Sequence, residues 1–195
     1  MSAQGARLLS REVLPFLVSF AALGAVALAL DAVLHLSGAV WIGRYLGIPG
    51  VLLILGSFGY ALRKRKRINH GDPAKLLRLH ARMAWTGSLL ILVHAGIHFN
   101  SILGWLAVWA MLINIGSGLT GKYLLQRARQ RLNDARARMQ REGVSEIELE
   151  QRLYWDSMTF DVVARWRAVH YPITLAFAVL GIAHILAIFL FWGWR

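Results

Sequence analysis

Residues 79–98 read LHARMAWTGSLLILVHAGIH. The run is apolar over a length that crosses a hydrocarbon core of roughly 30 Å, for which a helix needs about 20 residues. Yet it carries His80, His94 and His98. An imidazole without a partner in hydrocarbon costs free energy, so such side chains inside a span point to binding or relay. The rest of the chain sets the frame. Of its 195 residues 57% are hydrophobic, and the mean hydropathy is +0.49. This is the composition of an integral membrane protein rather than of a soluble domain.

Working outward, five stretches reach spanning length: approximately 13–35, 40–62, 78–100, 103–124 and 169–192. The expected fold is therefore all-α, a single membrane domain over 1–195 built as a bundle of five transmembrane helices. Arg7 and Arg11 precede the first apolar run as in a leader peptide, but that run is long for a leader and is taken as a true span. The second contains Arg44 and Gly47-Ile48-Pro49-Gly50, where proline removes a donor and kinks or delays the helix. The third and fourth are separated by a turn around 100–104, short enough for an antiparallel hairpin.

Placing the N-terminus inside puts 20 of the 22 Lys and Arg on the cytoplasmic side, in 1–12, 63–82 and 122–167. Only Arg44 and Arg195 fall outside. The positive-inside rule then gives N-in, C-out, and the membrane is taken to be the bacterial inner membrane. The same placement accounts for the net charge of +12 without nucleic acid. RKRKR at 63–67 reads as a stop-transfer flank that also attracts anionic membrane lipid. Within 122–167, QRARQRLNDARARMQRE is strongly helix-forming and extends the fourth span. Gly143 ends it, and Ser145-Glu146-Ile147-Glu148 fits a capping box opening a second helix. A cytoplasmic helical hairpin between the fourth and fifth spans is the expectation.

His80 and His94 are fourteen residues apart, and so are His170 and His184 in VHYPITLAFAVLGIAH of the last span. Over that interval an α-helix rises about 21 Å and rotates by a net of about −40°, so both rings stay near one face. The third and fifth spans run parallel in the expected topology. His80 then meets His170 toward the cytoplasm, and His94 meets His184 toward the outside. Two opposed imidazole pairs at two depths suit two stacked haem b groups, each iron taking one axial ligand from each helix. Neutral imidazole is a competent iron ligand, and ligation removes the cost of burying it. Cysteine is absent, which excludes disulfides, thiolate zinc, iron–sulfur clusters and C-x-x-C-H haem attachment. No G-x-G-x-x-G after a strand and no P-loop is present, so no nucleotide-binding domain is expected.

Other residues fit around those four. Gly87 lies midway between His80 and His94, and Phe177 midway between His170 and His184, a small and a large residue to fill the space between two cofactors. Arg82 near the cytoplasmic level and Arg44 near the outer one are the expected partners of the haem propionates. His98, one turn beyond His94, is assigned to the outer interface near a propionate or a quinone. Asp31 and His35, four apart at the outer end of the first span, form a candidate proton relay beside a quinone site. The alternative there is an Asp31–Arg44 pair or a snorkelling helix end.

LHARMAWTGSLLILVHAGIH and WRAVHYPITLAFAVLGIAH together resemble the transmembrane di-haem b-type cytochromes, over roughly 76–190. The H-x13-H pattern on two parallel helices is similar to cytochrome b of quinol–cytochrome c oxidoreductases. It is also similar to the membrane domain of ferric reductases and NADPH oxidases, where the third and fifth helices carry the ligands. The resemblance implies His80, His94, His170 and His184 as axial ligands. Five spans depart from the six or eight of those families, and no flavin or NADPH domain follows the last span. The expected role is therefore an electron-transfer subunit of an oxidoreductase, without catalytic residues of its own. Its partners would be a cytoplasmic redox protein, a periplasmic cytochrome or iron–sulfur protein, or the quinone pool. The competing class is a non-redox membrane anchor or a metal or haem transporter. A transporter would normally add acidic ligands at mid-depth, and Asp31 is the only acid in any span.

Overall fold

A computed structural model of the protein describes residues 13–64, 66–67, 71–97, 101–145, 148, 165 and 168–192. Among them the regular elements are all helices. We number them α1 (Leu14–Leu36), α2 (Val40–Tyr45), α3 (Gly47–Ser57), α4 (Gly59–Lys64), α5 (Pro73–Ile97), α6 (Ile102–Leu119), α7 (Gln126–Arg141) and α8 (His170–Ala187). Five helical stretches are long and apolar enough to cross a membrane: Leu14–Leu36, Val40–Arg63, Lys75–Ile97, Ile102–Leu119 and His170–Phe191. They match the five expected spans to within a few residues. Their large apolar side chains face outward, with Leu28 72% and Phe191 80% exposed. In water such faces would drive aggregation, whereas hydrocarbon solvates them. The chain is an integral membrane protein.

Contacts divide the chain into two compact units, a larger one of 21–115 with 173–195 and a smaller one of 1–20 with 116–172. In the larger unit α1 lies on α5, where Leu23 and Ala27 meet Leu89 and Val93 in a small buried core. Gly38, at φ 68°, ends α1: its N–H donates to the His35 carbonyl at 3.2 Å and that of Ala39 to Leu34 at 2.9 Å. Pro73 opens α5 at a position whose N–H would be unpaired in any helix.

The second span is the irregular one, and it is built from α2, α3 and α4, separated at Leu46 and Phe58. Pro49 has no N–H to give to Tyr45, so the ladder fails there, as expected from Gly47–Gly50. The Leu46 N–H turns instead to the Gly43 carbonyl, three residues back, at 3.2 Å. At the second break the Ser57 hydroxyl donates to the Ile54 carbonyl at 2.7 Å, and the Phe58 N–H donates to Leu55 at 3.0 Å. A serine hydroxyl bonded back to a carbonyl of the preceding turn bends a helix. Between the breaks α3 crosses α5 almost backbone to backbone. A Cβ on Gly50 would stand 3.0 Å from the Gly87 carbonyl oxygen, and one on Gly87 2.8 Å from that of Gly50.

In the smaller unit the end of α6 continues through a π-helical turn, Thr120–Leu125, into α7. The Thr120 hydroxyl donates to the Gly116 carbonyl at 2.8 Å and competes with the regular ladder at that step. The fourth span therefore extends into a basic helix, as its sequence implies. Gly143, at φ 74°, stops α7: its N–H reaches Gln140 at 3.2 Å and that of Val144 reaches Met139 at 3.1 Å. The Ser145 hydroxyl oxygen accepts the Glu148 N–H at 3.4 Å, the start of the expected capping box. The second arm of the expected hairpin lies outside the described residues.

Candidate functional site

The histidines of α5 are held from the second span. The His80 Nδ1–H donates to the Ser57 carbonyl at 2.9 Å, and the His94 Nδ1–H donates to the Gly43 carbonyl at 3.3 Å. A carbonyl oxygen only accepts, so in each neutral ring the proton sits on Nδ1 and the lone pair on Nε2. Both carbonyls adjoin a break in the second span, where tightened turns leave acceptor capacity outside the regular ladder. The arrangement repeats every seven residues. His80, Gly87 and His94 on α5 oppose Ser57, Gly50 and Gly43 in turn, as an antiparallel pair of helices requires. Small residues at 43, 50 and 57 are all buried and let α5 approach. Gly47 adds room beside His94, since a Cβ there would stand 3.0 Å from the ring. The Tyr60 ring lies 5.8 Å from that of His80, tilted by 34°.

The histidines of α8 are approached by α6. His184 Nδ1 lies 3.0 Å from the Ser101 hydroxyl, and a Cβ on Gly104 would stand 3.3 Å from His184 Cε1. Further along, the Thr174 hydroxyl donates to Asn114 Oδ1 at 2.9 Å, which fixes an antiparallel register between α6 and α8. In the smaller unit His170 follows the same register, with Cε1 3.7 Å from the place of a Cβ on Gly118.

Of the two expected pairs, His94 and His184 both belong to the larger unit. His80 is in the larger unit and His170 in the smaller. Arg82 on α5 and Arg44 on α2 have exposed side chains. Asp31 lies 3.5 Å from His35 Nδ1, whose ring also donates to the Asp31 main-chain carbonyl at 2.9 Å. A Cβ on Gly96 would come within 3.2 Å of the Asp31 carboxyl, so α5 leaves room for that acid. His98 lies outside the described residues.

Gly87 faces Gly50, Leu53 and Ile54 of α3 at contact distance, so its small size serves the helix crossing. Gly24, Gly59 and Gly116, by contrast, face open space. Gly43, Ser57 and Ser101 were not among the expected site residues. The seven-residue spacing of Gly43, Gly50 and Ser57, mirrored by His80, Gly87 and His94, is the sequence signal that could have found the first two. Searches against protein-family models, characterised proteins and solved structures find no match to this chain.

The α5 imidazoles meet one requirement of a ligand to porphyrin iron. Nδ1 of both rings is bonded to a main-chain acceptor, the usual second partner of a ligating imidazole, which makes Nε2 the unprotonated nitrogen. A haem asks the protein for two axial nitrogens, the porphyrin supplying the rest.

Proposed function

We propose that the protein is the membrane cytochrome b subunit of a redox complex, carrying electrons across the bilayer through two haem b groups. His94 with His184 would hold one, and the fourteen-residue spacing in the sequence assigns His80 and His170 to the other. When bound, the haem iron supplies one-electron chemistry. The chain supplies axial nitrogens, their orientation, and a low-dielectric setting that excludes water. The observation that carries the proposal is the pair of hydrogen bonds that tie Nδ1 of His80 and of His94 to main-chain carbonyls of the second span, which makes Nε2 the unprotonated nitrogen of each neutral ring.

The distribution of Lys and Arg supports N-in, C-out insertion, and the membrane proposed is a bacterial inner membrane. His94 and His184 would then lie toward the outer face, with Asp31 and His35 as the proton partners of a quinone there. The basic α7 is the docking face for a cytoplasmic redox partner, and a periplasmic cytochrome or iron–sulfur protein would meet the outer end. Arg82 and Arg44 are assigned to the haem propionates.

The test is a reduced-minus-oxidised optical spectrum of the purified full chain with haem counted per polypeptide. Two b-type haems are expected, falling to one in H184A and in H80A while the protein still inserts. A colourless wild-type chain would overturn the proposal in favour of a non-redox anchor. Haem retained in full by both variants would overturn the ligand assignment.

A further inference from the structure

Ser101 precedes the first residue of α6 and has two partners. Its hydroxyl oxygen accepts the Gly104 N–H at 3.1 Å, the N-cap bond of that helix, and lies 3.0 Å from His184 Nδ1. A hydroxyl has one proton and two lone pairs. With one lone pair given to Gly104, two arrangements remain. In the first, the other lone pair accepts the His184 Nδ1–H, and Nε2 is unprotonated. In the second, the serine proton goes to a bare Nδ1, and the imidazole proton sits on Nε2, where it blocks ligation.

We infer that Ser101 is a positioning residue for His184, accepting its Nδ1–H so that Nε2 faces the haem. The inference rests on the haem proposal above. It singles out one ligand of the set described. His80 and His94 are held by main-chain carbonyls that no substitution of the accepting residue deletes, whereas the hold on His184 is a side chain. An acceptor on Nδ1–H raises the basicity of a ligating imidazole. The ferric iron is thereby favoured, and the potential of that haem, and of that haem alone, is kept low.

Capping and positioning are separable by choice of variant. Alanine removes the hydroxyl and is a poor N-cap. Glycine removes the hydroxyl yet caps almost as well as serine, and threonine keeps both roles. The experiment is an optical redox titration of the purified full chain, with low-temperature EPR of the oxidised haems, for wild type, S101A, S101G and S101T. The potential of one haem is expected to rise in S101A and S101G alike, with a changed EPR signal for that haem only, and to return in S101T. Loss of that one haem in both Ala and Gly variants, restored in S101T, carries the same conclusion. Wild-type potentials and EPR signals in S101G would overturn the inference, leaving Ser101 a cap, while the haem proposal stands on the two haems counted. A wild-type chain without haem would overturn both.

Discussion

Replacing Gly87 by alanine tests the crossing on which the α5 histidines depend. The new Cβ would meet the Gly50 carbonyl oxygen at 2.8 Å, and Ile54 Cγ1 and Leu53 Cβ at 3.1 Å each. Ordinary contact needs roughly 3.4 Å or more, so α3 and α5 must part by about 0.6 Å. The main obstacle is backbone, which cannot swing aside as a side-chain end can. Such overpacking costs about 1–3 kcal/mol. It is partly offset by the better helix propensity of alanine, about 1 kcal/mol. The two imidazole bonds lie seven residues to either side, about 10 Å along the axis. Parting the helices as rods takes the His94 bond from 3.3 Å to about 3.9 Å, beyond hydrogen-bond range, while the His80 bond goes from 2.9 Å only to about 3.5 Å, its edge. The expected outcome in G87A is a lowered melting temperature in detergent and, on the proposed function, preferential loss or spectral change of the haem assigned to His94. G24A is the control, because nothing lies within 4 Å of a Cβ there and its effect should be neutral or slightly stabilising. A G87A protein that melts with wild type and keeps both haem spectra would refute the tight crossing and the dependence of His94 upon it.

Two further substitutions probe the frame. Thr174→Val removes the bond to Asn114 between α6 and α8, and should cost about 0.6–1.7 kcal/mol in thermal stability, with T174S close to wild type. Stability unchanged in T174V would show that this bond does not hold α6 to α8. Gly143→Ala forces a Cβ into left-handed backbone at φ 74° and should cost about 1 kcal/mol, read as faster amide exchange over 136–141 with the membrane spans unaffected. Unchanged exchange there would mean that α7 does not end at this residue.

What the sequence discloses here follows from which interactions are periodic and local. Span lengths depend on runs of apolar residues, and all five appear where those runs lie. The break at Pro49 and the stop at Gly143 depend on single residues with fixed backbone consequences, and both are present. The break at Phe58 was not expected, because its cause is a Ser57 hydroxyl bonded to Ile54, and serine does this in some helices and not in others. The four histidines stand out because imidazole is rare in hydrocarbon. The partners described for His80 and His94 do not, because they are main-chain carbonyls, which every residue has. The neighbour of Gly87 is hidden for a related reason. The place of Gly87 in the His80–His94 stripe is visible in the sequence, but whether a glycine faces a helix or a cavity is decided by Gly50, more than thirty residues away in the chain.

The irregular second span and the histidines of the third form one construction. In hydrocarbon every N–H and C=O needs a partner inside the protein, because water is not there to supply one. A break in a helix turns a carbonyl lone pair away from the regular ladder, and a buried imidazole protonated at Nδ1 has a donor to place; left alone, that donor would cost free energy. Here they meet: the Gly43 carbonyl, which also accepts the Leu46 N–H, takes the proton of His94, and the Ser57 carbonyl takes that of His80. The two acceptors are fourteen residues apart on one helix and the two donors fourteen apart on the other, with the Gly50–Gly87 crossing halfway. A straight second span would aim those carbonyls along its own axis, at the N–H four residues on, and offer the rings less. Bending it twice at the histidine interval fixes both ring orientations through the backbone, where side-chain drift cannot undo them.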